Sequence, residues 1–235
     1  GDYLDKPPLL FWSSSLSFKL FGINNFAFKL PAVLVILLGI YSTYKLATQW
    51  YGEEVGKAAA LMLGYSQAVF LMTNDIRTDG MLMGWVIFAT WQLSSFVQTK
   101  QWKNLIVGSV GVGLAMMTKG PLGLIVPAAA FFTEFALKGQ WRNIFRWEWL
   151  IGLLIILLTL SPMLWGLYNQ FDLHPEKEVY GLQGPSGIKF FFWTQSFGRI
   201  TGDIYWDNGA PPYYFLGTIL WDFLPWIFLL FPALF

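Results

Sequence analysis

The sequence has 235 residues, of which 55% are hydrophobic and 12% charged, and its mean hydropathy is +0.50. Soluble domains carry about 25% charged residues, so this composition cannot cover a water-soluble fold. The net charge of +1 gives no indication of nucleic-acid binding, and the absence of cysteine excludes disulfides and thiolate chemistry. The apolar runs are continuous and lack the alternation of a membrane β-barrel. We therefore predict an all-α, polytopic membrane protein.

The apolar stretches predict about seven transmembrane spans. A helix needs about 20 residues to cross about 30 Å of hydrocarbon, and seven stretches approach that length: 26–47, 56–73, 80–97, 105–118, 121–137, 149–167 and 213–231. The break at Lys119-Gly120-Pro121 predicts a tight hairpin between the fourth and fifth. Residues 9–21 are short and Ser-rich, and they predict an interfacial helix that begins after Pro7-Pro8.

These elements form one predicted domain, residues 1–235. Its parts are an external loop with the interfacial helix, six spans, a long external loop and a seventh span: 1–25, 26–167, 168–212 and 213–231. The long loop exceeds the ~12–15 residues of an ordinary connection and is rich in aromatic residues, so we expect it to be ordered against the membrane face. Because the chain opens on Gly1 and ends in apolar residues, we expect N- and C-terminal parts to be missing.

Basic residues in short loops predict the orientation, because loops rich in Lys and Arg remain in the cytoplasm. Loops 98–104 and 138–148 carry five basic residues against one acid, Glu148: Lys100, Lys103, Lys138, Arg142 and Arg146. Loop 48–55, on the same side, is neutral. Four polar clusters then share the external side, and this arrangement predicts a polar site there.

The first cluster, Asp5-Lys6-Pro7-Pro8, precedes the interfacial helix. The prolines restrict the backbone and fix the direction of Lys6, and a lysine is a suitable point-charge partner for a phosphate. Asp5 is placed to hold a metal or to orient Lys6. The alternative is a proline-started helix with a solvated ion pair.

The second cluster is Asp75-Ile76-Arg77-Thr78-Asp79. If this stretch begins or ends a helix, Asp75 and Asp79 share one helical face with Arg77 between them. Such carboxylates are candidates for a general base or a metal ligand. The alternative, of about equal weight, is a polar turn whose acids cap the next helix.

Two more basic residues belong to the external side. Lys119 in Thr118-Lys119-Gly120-Pro121 either binds an anionic lipid or phosphate, or snorkels to the headgroups, which is the favoured interpretation. Arg199, in the long loop, suits bidentate phosphate recognition, or else pairs with Asp203 or Asp207.

His174 is interpreted as a solvated loop residue, with a metal ligand as the alternative. No G-x-x-x-x-G-K-[ST], H-E-x-x-H or G-x-S-x-G pattern supports nucleotide hydrolysis, zinc proteolysis or serine hydrolysis.

Several motifs in order resemble one enzyme family. Residues 1–9 (Gly1-Asp2-Tyr3-Leu4-Asp5-Lys6-Pro7-Pro8-Leu9) with Trp12 and Lys29-Leu30-Pro31 resemble the opening of the GT-C glycosyltransferases related to protein mannosyltransferases and the lipid A aminoarabinose transferase. The further matches follow in the family's order: Arg77-Thr78-Asp79, Thr118-Lys119-Gly120-Pro121, Pro211-Pro212-Tyr213-Tyr214 and Phe223-Leu224-Pro225-Trp226. Each motif alone is weak, and their order gives the resemblance its weight.

The resemblance implies a GT-C-like enzyme that takes a sugar from a polyprenyl-phosphate donor at the external membrane face. We expect the acceptor to be a lipid, a protein or a glycan, and the membrane to be the bacterial inner membrane with the site on its periplasmic side. The resemblance also implies that Lys6 contacts the donor phosphate, that Asp79 is a second acid of the site and that Arg199 is a phosphate ligand. Together with the residue patterns, the predicted site has Asp79 and Asp75 as catalytic residues and Tyr3, Lys6, Arg77, Lys119 and Arg199 as substrate-binding residues. Asp5 matches an acidic position that holds a divalent metal in some members.

One departure from the family concerns its acidic pair, which contains the expected catalytic base and belongs to a loop upstream of Gly1. We therefore expect this sequence to lack the principal catalytic carboxylate. The alternative function is a transporter or flippase for an anionic lipid or solute. Transporters place polar groups near the membrane midplane between repeated halves, whereas here the charges gather on one side and no repeat is visible.

Overall fold

The computed structural model describes residues 4–179, 181–194, 197–198 and 213–233. Within these residues the chain is almost entirely helical, as predicted. The helices are α1 Leu9–Phe21, α2 Asn25–Tyr51, α3 Glu53–Gly64, α4 Gln67–Asn74, α5 Thr78–Thr99, α6 Trp102–Lys119, α7 Leu122–Leu137, α8 Trp141–Ile144, α9 Glu148–Leu167, α10 Gly187–Lys189, α11 Tyr214–Asp222 and α12 Ile227–Ala233. Two π-helical segments, Tyr168–Asp172 and Phe190–Thr194, follow α9 and α10, and a small antiparallel hairpin pairs Glu178–Val179 with Leu182–Gln183.

Local sequence signals set the helix boundaries. The Asn24 side chain caps α2 by accepting a hydrogen bond from the Ala27 amide at 2.9 Å, and Ser66 caps α4. Helix α6 ends at Gly120, whose φ of 75° a residue with a side chain rarely adopts. Pro121 then precedes α7. The predicted hairpin at Lys119-Gly120-Pro121 is therefore present.

Helix α6 lies at the centre of the bundle, where it packs against α5, α7 and α9. Ten of its 18 residues are buried, and the main apolar cluster joins it to the neighbouring helices through residues such as Phe96, Leu105, Met116, Phe131 and Leu160. Small residues allow the closest approach elsewhere: a Cβ on Gly39 of α2 would lie 2.7 Å from Gly84 Cα of α5. The two helices are parallel, since Ala32 packs near Met81 and Trp50 bonds to Ser94.

The seven predicted spans differ from the helices observed. Within the described residues, three helical stretches are long and apolar enough to cross a membrane: Asn25–Tyr51, Thr78–Thr99 and Trp141–Asp172. A fourth is counted if α3 and α4, bent by 49° at Tyr65-Ser66, form one broken span. The stretch predicted as the seventh span consists of α11 and α12, with a break at Phe223–Trp226. The count of seven is therefore not confirmed.

The helix directions divide the bundle into two ends. At one end, which we call the cluster end, lie the starts of α1, α5 and α7 and the ends of α6 and α9. At the opposite end, the Trp102 and Trp147 rings meet 5.7 Å apart where α6 and α9 begin. Lys100, Arg146 and Glu148 also lie there, and burial together with the Arg146 charge lowers the pKa of Lys100. The described residues of the predicted polar clusters and of the predicted basic loops thus occupy opposite ends.

Candidate functional site

The turn between α4 and α5 carries the first acidic and basic pair of the cluster end. Asp75 follows the last residue of α4, and Arg77 is extended just before Thr78 starts α5. An Arg77 Nη2 donates to Asp75 Oδ2 at 2.6 Å, with the side chains 71% and 67% exposed. Because exposed ion pairs contribute little to stability, this pair shapes the turn without anchoring it.

An ion pair joins the start of α5 to the end of α6. Lys119 Nζ donates to Asp79 Oδ1, and the two side chains are 33% and 43% exposed. Asp79 lies in the first turn of α5 and Lys119 is the last residue of α6, so each charge is favourably placed against its helix dipole. The neighbouring Thr118 is fully buried and bonds back to the Leu114 carbonyl oxygen. The Lys119 ammonium is therefore held at a defined place.

A cleft of about 190 Å³ opens beside Lys6. We call it the Lys6 cleft, and its walls are the segment before α1, the first residues of α1, the end of α9 and the segment around α10: Leu4 to Pro8, Phe11, Trp12, Met163, Gly166, Leu167, Gln170, Phe171, Gly187, Phe190 and Phe191. Lys6 is exposed, and among the described residues no hydrogen bond or ion pair engages it. Its ammonium is available to a ligand.

The π-helical turn Tyr168–Asp172 supports two walls of the Lys6 cleft. Phe171 is 1% exposed and packs with Leu4 and Val179, so it anchors the chain immediately before Asp5 and Lys6. The next residue, Asp172, accepts hydrogen bonds from Ser186 Oγ at 2.5 Å and from the Gly187 and Ile188 amides at 2.9 and 3.3 Å. The turn thereby fixes the opposite wall as well.

The Lys6 cleft and the Asp79–Lys119 pair belong to the same end of the bundle. Leu9 and Leu10, at the start of α1, form a cluster with Ile76 and Met81. Leu9 also packs against the central cluster that contains Met116 and Met117. Since Lys6 lies three residues before α1, the two polar features are neighbours in the fold.

The described residues do not form a complete metal site. They contain no group of three His, Asp or Glu side chains that could hold a metal ion. Asp5 faces the Lys6 cleft, and the exposed His174 bonds to Glu176 at 2.7 Å. Metal binding by Asp5 stays a prediction from the resemblance.

The sequence model of the dolichyl-phosphate-mannose-protein mannosyltransferase family matches residues 5–165, which is more than half of the chain. The chain belongs to this family.

Curated proteins are similar to nearly the whole chain. An undecaprenyl phosphate-alpha-4-amino-4-deoxy-L-arabinose arabinosyl transferase of Proteus mirabilis is 27% identical over 99% of this chain and 40% of its own length. An uncharacterized protein of Aquifex aeolicus is 28% identical over 99% of the chain and 43% of its length. The chain thus spans about two fifths of the length of these relatives.

A solved structure shows the fold. The crystal structure of ArnT from Cupriavidus metallidurans bound to undecaprenyl phosphate matches 99% of this chain and 41% of its own, with a TM-score of 0.79 and 22% identity. The apo structure of the same protein gives a TM-score of 0.76 at 20% identity. The prediction of an all-α, GT-C-like, multi-pass membrane protein is confirmed.

The matched range contains six of the eight predicted site residues: Asp5, Lys6, Asp75, Arg77, Asp79 and Lys119. Among these six, Asp79 forms an ion pair with Lys119, and Asp75 forms one with Arg77. Asp5 and Lys6 both line the Lys6 cleft. Tyr3 and Arg199, together with Asp203 and Asp207, lie outside the described residues.

Two details of the predicted site were wrong. Asp75 and Asp79 do not share a helical face, because α4 ends before Asp75 and α5 begins at Thr78. Asp79 does not cap α5, because the N-cap position is Arg77 and no side-chain cap bond forms there. Lys119 pairs with Asp79, whereas Arg77 pairs with Asp75.

The long predicted loop also begins later than expected. The helix of the preceding span continues in π-helical form as far as Asp172, so residues 168–172 belong to the span. Asp172, whose carboxylate organises the segment around α10, was missed. The available sequence signal was Pro185-Ser186-Gly187, which is typical of a helix start.

Proposed function

We propose that this chain is part of an integral-membrane glycosyltransferase that moves a sugar from a polyprenyl-phosphate-linked donor to a lipid, protein or glycan acceptor. The observation that carries the proposal is the position of Lys6. Its exposed ammonium has no partner among the described residues and borders a cleft at the end of the bundle that also holds Asp79 and Lys119. The curated relatives, named for transfer from an undecaprenyl phosphate-linked sugar, support the donor class.

The positive charge of Lys6 favours a reaction in which a phosphate is the leaving group. In the proposed transfer, the acceptor oxygen forms a bond to the anomeric carbon while the bond from that carbon to the donor's phosphate oxygen breaks. Polyprenyl phosphate leaves with the bonding electrons, and the Lys6 ammonium stabilises the negative charge that develops there. Tyr3 and Arg199 are further donor contacts in this proposal, on the resemblance alone.

Lys119 is able to assist without leaving Asp79. A lysine ammonium has three N–H donors, and the bond to Asp79 uses one of them. The other two remain for a phosphate oxygen. In this proposal Asp79 holds Lys119 in place and Asp75 does the same for Arg77, while the acceptor proton passes to the acidic pair that the resemblance places upstream of Gly1.

We place the reaction at the external face, in a bacterial inner membrane with the site on its periplasmic side. The support is the separation of charge between the two ends of the bundle. The cluster end holds Asp5, Lys6, Asp79 and Lys119, whereas the opposite end holds the basic loops that favour the cytoplasm. A transporter would place its polar groups near the midplane, and these pairs lie at helix ends.

The test is donor kinetics in the full-length protein, reconstituted in liposomes with undecaprenyl phosphate-linked aminoarabinose and acceptor membranes. A charge-assisted contact contributes about 1.5–3 kcal/mol, so Lys6→Ala is expected to raise the donor KM about tenfold to a hundredfold, and Lys6→Arg less. Lys19→Ala, which removes an exposed lysine at the far end of α1, is the matched control. Unchanged donor kinetics in Lys6→Ala would remove Lys6 from the site, and no release of undecaprenyl phosphate by the unaltered protein would contradict the donor class.

A further inference from the structure

One carboxylate outside the motifs of the sequence analysis organises a wall of the Lys6 cleft. Asp172 ends the π-helical turn that extends α9, and its two oxygens accept three hydrogen bonds from Ser186, Gly187 and Ile188. All three partners are donors, so the site is built for an acceptor-only group, which among side chains means an ionised carboxylate.

The hydrogen bonds fix a segment whose position decides the shape of the cleft. Ser186 also accepts a bond from the Lys189 amide at 3.1 Å and thereby caps α10. Phe190 and Phe191, the next residues, line the Lys6 cleft, and Phe191 is 2% exposed. A substitution of Asp172 is therefore expected to shift the rings of Phe190 and Phe191.

The same segment packs with little clearance against α9. A Cβ on Gly187 would lie 2.9 Å from the Leu167 carbonyl oxygen and 3.2 Å from the Phe171 ring. Leu167 and Phe171 also line the cleft. The wall is thus held by one ionic acceptor and one close backbone approach. The π-helical turn that carries the acceptor, Asp172, is a local irregularity often found at functional sites.

We propose that Asp172 is a positioning residue for the sugar donor: it holds the wall formed by Gly187, Phe190 and Phe191 opposite Lys6, so that the cleft exists before the donor enters. This inference rests on the proposed function only for the identity of the ligand. The carboxylate does not touch the donor; it acts through the segment that it anchors.

Hydrogen exchange in the ligand-free full-length protein tests the anchoring by itself. Asp172→Ala is expected to speed exchange of the Gly187 and Ile188 amides by about tenfold or more, because exchange reports local opening. Glu178→Ala removes a nearby exposed carboxylate that bonds to Gln183 and is expected to leave those amides unchanged. Equal exchange in Asp172→Ala and the unaltered protein would overturn the anchoring.

Binding of undecaprenyl phosphate, followed by tryptophan fluorescence, tests the link to the donor. Asp172→Ala is expected to raise the Kd about tenfold or more, since a small misplacement of a binding wall is costly, and to leave the acceptor KM unchanged. Ser186→Ala is expected to produce part of this effect and to add less to Asp172→Ala than it causes alone, because the two variants share the bond between Ser186 and Asp172. Faster exchange with an unchanged Kd would overturn the donor role.

Two comparisons separate this inference from the proposed function. If Lys6→Ala weakens undecaprenyl phosphate binding and Asp172→Ala does not, the positioning role is wrong while the donor site stands. If neither variant changes binding, the donor site itself is misplaced, and the exchange result still decides the anchoring. Should Asp172→Ala reduce the amount of folded protein, Ser186→Ala removes one of the three bonds and supplies the same two readouts.

Discussion

Lys119, the last residue of α6, forms an ion pair with Asp79 in the first turn of α5. The pair brings together two residues that are 40 positions apart, and it connects the two helices at the end of the bundle that contains the Lys6 cleft. Its members carry opposite charges at opposite helix termini, so the pair is compatible with both helix dipoles.

Loss of the Asp79 charge is expected to reduce activity while leaving the fold intact. Asp79→Asn keeps the shape of the side chain but no longer offers an anionic partner to Lys119. We expect normal expression and membrane insertion, with transfer at least ~10²-fold slower, the lower range for a positioned acid–base or electrostatic group. Transfer rates at matched protein levels provide the measurement.

Asp75→Asn is the control, because Asp75 is a more exposed carboxylate at the same end and pairs with Arg77. Its effect is expected to be milder. Near-normal turnover in Asp79→Asn would show that Asp79 has only a structural part at the start of α5.

Exchanging the two charges tests whether Asp79 and Lys119 act as a unit. Asp79→Lys and Lys119→Asp alone each place two like charges in contact, and each is expected to lower transfer strongly. The double variant restores an opposite pair, and it is expected to be at least about tenfold more active than either single variant, although the exchanged charges oppose the helix dipoles. Activity no higher in the double variant than in the singles would show that the two side chains act independently.

The orientation of the bundle is open to cysteine labelling, because residues 1–235 contain no cysteine. Asn74→Cys, beside the turn at the cluster end, is expected to react with a membrane-impermeant maleimide from the outside. Gln101→Cys, between α5 and α6, is expected to react only in inverted vesicles, since it lies at the end with the basic loops. Both original side chains are exposed. Labelling of the two positions from the same side would contradict the topology.

The contact between α2 and α5 is expected to be intolerant of a single methyl group. A Cβ on Gly84 would lie 2.2 Å from the Val35 carbonyl oxygen, which belongs to a helix backbone that cannot turn away. Gly84→Ala is expected to destabilise the protein by about 1–3 kcal/mol through overpacking. Gly217→Ala, where a Cβ meets nothing within 4 Å, is the matched control. Equal thermal unfolding temperatures for the two variants in detergent would contradict this account.

The helix boundaries near glycine and proline were predictable from the sequence, because these residues act on the backbone locally. Pro7-Pro8 precedes α1, and Gly120-Pro121 separates α6 from α7, as expected. The break between α3 and α4 contains no proline, and its local signals are Gly64, the last residue of α3, and the Ser66 cap of α4. A continuous apolar pattern therefore concealed a 49° bend.

The sequence predicted which residues lie at the polar end better than it predicted which of them form ion pairs with each other. The motifs identified Asp79, Arg77 and Lys119 as members of one polar end, but the choice of partner depends on how α5 and α6 are packed, which no local pattern encodes. Asp172 was missed for a related reason. Its three partners lie 14 to 16 residues later in the chain, inside a stretch interpreted as a loop.

One backbone hydrogen bond joins two distant parts of the chain. The Gln67 amide, at the start of α4, donates to the Leu224 carbonyl oxygen at 3.0 Å. Amides in the first turn of a helix have no partner within that helix, and hydrocarbon supplies no water to replace one. The stretch between α11 and α12 supplies that partner, and it thereby links the bend between α3 and α4 to a distant part of the chain. A chain that ended before that stretch would lack this acceptor for the Gln67 amide, so the start of α4 depends on a segment that follows it far along the chain.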